Sequence, residues 1–66
     1  MKNTKYDLTI GESLKNLREH KHITQKQLSE ITGLSQQHIS KIERNEIKPN
    51  IDTFLKIMNA FDIQIL

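Results

Sequence analysis

The chain has 66 residues, enough for one domain with a single small core and too few for two. It has no cysteine, which excludes a disulfide framework and a thiolate zinc site, and its 10 Lys and Arg against 8 Asp and Glu leave a formal charge of +2, too mild to argue for nucleic acid unaided. The start, MKNTKYDLT, lacks an apolar leader core and no run approaches membrane-spanning length, so a soluble, cytoplasmic protein with no membrane partner is expected.

Residues Met1 to Leu8 are polar and are expected to be flexible, although Tyr6, Leu8 and Ile10 alternate as a short strand would. Thr9 and Glu12 then have capping-box spacing, and Ile10, Leu14 and Leu17 recur on one helical face, which predicts a first helix from Ile10 to about Lys21.

The next stretch, ITQKQLSEITGLSQQHISKIE from Ile23 to Glu43, contains two helix starts with a glycine between them. Thr24 and Gln27 form a second capping box, flanked by Ile23 and Leu28 at hydrophobic-staple spacing, so a helix of about two turns should begin at Gln25. Gly33 supplies the left-handed residue that ends it, and Leu34, Ser35 and Ile39 repeat the staple and cap, starting another helix near Gln36. Two short helices joined by a sharp turn make a helix-turn-helix. In the first of them Leu28 and Ile31 are expected to face the core, while Ser29, Glu30 and Thr32 point outward.

The second of these helices has two unlike sides. Ser35, Ile39 and Ile42 share one, and Gln36, Gln37, Ser40, Lys41 and Arg44 spread over a broad opposite arc. Paired glutamine amides can donate and accept toward the N7 and N6 edge of adenine, and adjacent cations can meet guanine or phosphate. The arc therefore reads as a DNA-reading surface, with Gln36, Gln37, Ser40 and Lys41 toward base edges; the competing account is a polar face that only solvates its helix.

After Glu43, RNEIKPN reads as a loop, in which Glu46 is an anomaly because a carboxylate near phosphate repels. Asn50 should cap a fourth helix with Asp52 at its positive end and with Ile51, Phe54, Leu55, Met58 and Phe61 as its apolar stripe, Ile57 lying at the margin. From Phe61 to Leu66 apolar and polar residues alternate. That pattern predicts a short strand over 62–66 whose residues, with Phe61, Ile63, Ile65 and Leu66 as the interface, could pair two subunits about a two-fold axis.

Catalysis and metal binding find no support. His20 and His22 are two apart, His38 lies on another helix, and no nucleophile, base and orienting acid fall together. No enzyme activity, metal or cofactor is expected.

The run IGESLKNLREHKHITQKQLSEITGLSQQHISKIERNEIKPNIDTFLKIMNAF, close to the whole chain, resembles the Cro/CI-type (XRE) helix-turn-helix family of phage repressors and bacterial regulators. The resemblance implies an all-α, lambda-repressor-like bundle of about five short helices, single-domain over 1–66, in which the helix starting at Gln36 enters the major groove and the one starting at Gln25 crosses the backbone. It further implies a partly buried ion pair between Arg18 and Glu43, a role for Gln25 in anchoring phosphate beside Thr24 and bracing Gln36, and phosphate contacts by Arg44 and Lys48. Asn45 stands where the family commonly has glycine. Lys26, Ser35 and a protonated His38 complete the expected backbone contacts. The implied function is a sequence-specific regulator, a repressor binding a palindromic operator in double-stranded DNA as a homodimer. The ending FLKIMNAFDIQIL also resembles the HipB-like antitoxins that partner HipA-type kinase toxins, which leaves an antitoxin with a toxin protein as its partner as the alternative.

Overall fold

The computed structural model describes residues 9–63. Among them are four helices and no strand: α1 (Ile10–His20), α2 (Gln25–Thr32), α3 (Gln36–Glu43) and α4 (Ile51–Ala60). The fold is all-α, with four helices among the described residues where about five were expected.

Each start follows from a local cap. Thr9 Oγ1 accepts from the Glu12 amide at 3.1 Å while the Thr9 amide donates to Glu12 Oε1 at 3.1 Å, and Thr24 and Gln27 repeat the exchange at 3.0 and 2.9 Å. Ser35 Oγ accepts from the His38 amide and Asn50 Oδ1 from the Thr53 amide, at 3.0 and 2.8 Å. Each satisfies an amide that has no partner within its own helix.

The ends are equally regular. Gly33 stops α2 at a φ of 79°, and the chain leaves α1, α3 and α4 through His22, Asn45 and Asp62, at φ of 60°, 62° and 62°. In each of those three the following amide reaches five residues back: Ile23 to the Arg18 carbonyl (3.1 Å), Glu46 to Lys41 (2.9 Å) and Ile63 to Met58 (3.0 Å). This is the Schellman closure. Ile23 and Ile63 seal theirs by packing on the core, whereas at the end of α3 the corresponding residue is the exposed Glu46.

The core comprises Leu14, Leu28, Ile39, Ile42, Ile57, Met58 and Phe61, with Leu17, Ile23, Leu34, Ile47, Phe54, Ala60 and Ile63 packed against it. Several expectations need correction. Ile10 is exposed, because the inward side of α1 is Gly11, Leu14 and Arg18. Ile31 is 59 % exposed: α2 turns Gln25, Leu28, Ser29 and Thr32 inward, and Ile31 falls on the other side. Ser29 and Thr32 were expected outside, but the Ser29 hydroxyl donates to the Leu34 carbonyl at 2.5 Å and that of Thr32 to the Leu28 carbonyl at 2.7 Å while accepting from the Leu34 amide at 3.2 Å. These bonds staple the turn into α3.

In α4 the inward stripe is the half-buried Phe54 with the buried Ile57, Met58 and Phe61, spaced i, i+3, i+4, i+7, so Ile57 is central and Ile51 and Leu55 are left outside. Phe61, expected at a subunit interface, is 1 % exposed and belongs to the core of its own chain. Asp62 is in a left-handed turn, which a strand beginning there does not permit, and Gln64, Ile65 and Leu66 lie outside the described residues, as do Tyr6 and Leu8 of the possible first strand. Among the described residues no helix is long and apolar enough to cross a membrane.

Candidate nucleic-acid interface

The position of α3 is set by what it buries. Ile39 and Ile42, each 1 % exposed, are driven into the core, and at about 100° per residue this turns Gln36, Gln37 and Lys41 out to solvent. Ser40 and His38 are half-buried at the edges of the same face. Four residues expected to read bases therefore share one outward side of one helix, three of them exposed.

The C-terminal end of α3 is held by a buried ionic network. Arg18 on α1 donates from Nε to Glu43 Oε2 at 2.7 Å and from Nη2 to Glu43 Oε1 at 3.2 Å, and its Nη1 donates to the Ile23 carbonyl at 2.7 Å. The two side chains are 9 % and 4 % exposed. Gln25, the first residue of α2, donates from Nε2 to Glu43 Oε1 at 2.9 Å. One carboxylate thus ties three helices together, and Gln25 is engaged with Glu43 where bracing of Gln36 was expected. Its amide ties the start of α2 to the end of α3.

A second tie was not read from the sequence. Gly11, near the start of α1, donates its amide to Asn45 Oδ1 at 3.1 Å, and a Cβ built there would lie 2.3 Å from the Ile42 carbonyl oxygen and 2.5 Å from Asn45 Oδ1. Only glycine lets α1 approach the end of α3 this closely. Asn45 fills the left-handed position usually given to glycine and uses its side chain to satisfy a helix-start amide that glycine could not reach. A glycine in the first turn of a strongly patterned helix is the signal that could have pointed to it.

The expected phosphate contacts surround this face unequally. Lys26, Lys48 and Arg44 are exposed. Thr24 and Ser35 are exposed but already accept helix-start amides through their hydroxyls, each retaining a hydroxyl proton to donate. Arg44 is engaged on both sides: its Nε donates to Glu46 Oε2 at 2.7 Å and its Nη1 to Ser40 Oγ. The hydrogen bond and charge of Arg44 hold the Glu46 carboxyl below its usual range, with Lys41 contributing, and Glu46 raises Arg44 in turn. Among the described residues no three His, Cys, Asp or Glu side chains gather as metal ligands would.

A family model described as helix-turn-helix matches residues 14–66. The chain is 35 % identical over 57 residues to an uncharacterized HTH-type transcriptional regulator, y4dL, of Sinorhizobium fredii, covering 86 % of this chain and 29 % of that protein. It is 33 % identical over 58 residues to the immunity repressor protein of Bacillus phage phi105, covering 88 % of this chain and 40 % of the repressor. A second uncharacterized regulator of Sinorhizobium fredii, y4dJ, is 30 % identical over 54 residues, covering 82 % of this chain and 70 % of that protein. The chain thus spans less than half the length of the first two.

Proposed function

This chain belongs to the Cro/CI-type (XRE) helix-turn-helix family, and from that premise we propose that it is a sequence-specific DNA-binding transcription regulator, a repressor that grips a palindromic operator as a homodimer in the cytoplasm. The observation that carries the proposal is the outward row of Gln36, Gln37 and Lys41 on a helix fixed from behind by Ile39, Ile42 and Glu43. An exposed amide pair on a rigid helix fits a major groove, where each good bidentate base contact discriminates by about 1–3 kcal/mol. In this reading Ser40 joins them at base edges, while Thr24, Lys26, Ser35, His38, Arg44 and Lys48 meet phosphate. Two copies would set their reading helices roughly 34 Å apart, one turn of duplex.

The test separates the two kinds of contact. With an operator selected from random duplex, Gln37→Ala should flatten base preference at one position of each half-site, whereas Lys48→Ala should weaken every duplex alike and lower the salt slope by about one per copy. Equal losses for both variants on every sequence would refute this division of labour.

A second reading rests on Ile51 and Leu55, which α4 leaves at 67 % and 37 % exposure. They could seat a protein partner, such as the toxin of an antitoxin pair, with DNA binding serving autoregulation. Co-purification with the product of an adjacent gene supports that reading; a dimer free of any companion counts against it.

A further inference from the structure

The chain Ser40, Arg44, Glu46 at the end of α3 is unusual for a surface meant to meet phosphate: its exposed guanidinium is already bound to an anion of its own protein. The backbone that carries Glu46 is held in place: its amide is bonded to the Lys41 carbonyl at 2.9 Å in the closure of α3, and the left-handed Asn45 before it is anchored to Gly11 at 3.1 Å, which keeps the carboxylate within reach of Arg44. At this one helix end the residue that elsewhere seals the closure with an isoleucine is a carboxylate.

Resting on the DNA-binding reading above, we propose that Glu46 is a built-in restraint on the interface: it holds Arg44 back against α3, so that phosphate must displace a carboxylate before it gains the guanidinium. An ion pair this exposed adds little to folding. Its consequence is for binding, because the competing carboxylate and the incoming phosphate want the same donor fork. The same guanidinium also donates to Ser40 Oγ, so its release frees a hydroxyl at the edge of the reading face. The restraint weakens the sequence-independent part of DNA binding, which comes from phosphate contacts, and leaves the contacts of Gln36 and Gln37 as a larger share of the total.

The experiment is a titration of the full chain, Glu46→Gln, Arg44→Gln and the double variant against a selected operator and an unrelated duplex at several salt concentrations, with circular dichroism confirming helix content. Glu46→Gln should bind both duplexes about threefold to tenfold more tightly, as expected for relief of one close charge competition near water, with a steeper salt slope. In the Arg44→Gln background the same change should have much less effect, because the cation that Glu46 restrains is gone. No gain from Glu46→Gln, or a full gain in the Arg44→Gln background, overturns the inference while leaving the DNA-binding reading intact. If the unsubstituted chain binds neither duplex at low salt, that reading itself fails and takes the inference with it.

Discussion

Replacing Arg18 with methionine tests the claim that Glu43 is the tie of the scaffold. Methionine keeps most of the length and apolar stem of arginine and removes three hydrogen bonds, at 2.7, 3.2 and 2.7 Å, together with the charge opposite Glu43. The carboxylate left behind is 4 % exposed and keeps the hydrogen bond from the Gln25 side-chain amide at 2.9 Å. Were the bridge exposed, the loss would be at most about 1 kcal/mol. Because it is buried, the stranded charge sets the cost, about 3–5 kcal/mol. A domain of this length has roughly 3–10 kcal/mol in total, so the variant should lose about a third of its stability or more. At about 2.1 cal/mol/K per residue the unfolding entropy is near 0.14 kcal/mol/K, which turns 3 kcal/mol into a drop of roughly 20 °C in Tm. Thermal unfolding followed by far-ultraviolet circular dichroism reads this directly. The control is Arg18→Met with Glu43→Leu, which removes both charges and should recover most of the loss, since no ion is then stranded. A drop below about 5 °C for Arg18→Met alone, or a double variant as unstable as the sum of its parts, refutes the argument.

The other expectations follow the same geometry. Gly11→Ala should destabilise by about 1–3 kcal/mol in denaturant unfolding, although alanine is the better helix former by about 1 kcal/mol, because the new methyl must displace the Ile42 carbonyl at 2.3 Å. Asn45→Ala should cost about 1–3 kcal/mol, combining left-handed strain with a lost hydrogen bond, whereas Asn45→Gly should be nearer neutral; both should speed hydrogen exchange of the Gly11 amide. Glu46 should titrate below its ordinary value of 4.5 in a carbon-detected pH series, and Arg44→Gln should return it toward that value. Since the folded value is the lower one, the small stabilisation from this pair is present above the unfolded value and is lost as pH falls through the folded one.

What could be read from the chain and what could not divides by sequence distance. The caps at Thr9, Thr24, Ser35 and Asn50, and the left-handed Gly33 and Asn45, are decided within three or four residues, so residue type alone carries the signal and the helix limits follow. Rotation of a helix about its axis is decided by its neighbours. In α4 two overlapping stripes were available, one through Ile51 and Leu55 and one through Ile57, and docking against α2 selects the second. In α2 the hydroxyls of Ser29 and Thr32 turn inward to hold the hinge into α3, and this costs Ile31 its place in the core.

The hinge and the two ties to α3 have a common consequence. The hydroxyls of Ser29 and Thr32 set where α3 begins, and the Arg18 and Gln25 contacts to Glu43, with Gly11 bound to Asn45, set where it ends. A helix of only 8 residues is too short to be stable alone, so the rigidity of α3 has to come from contacts at both ends and from Ile39 and Ile42 between them. Polar groups do this work at the ends because geometry there matters more than burial: a bidentate guanidinium and an amide fix direction, as an apolar contact does not. The outward side is then free to carry amides with no structural duty, and Gln36 and Gln37 are exposed because the residues behind them already hold the helix in place.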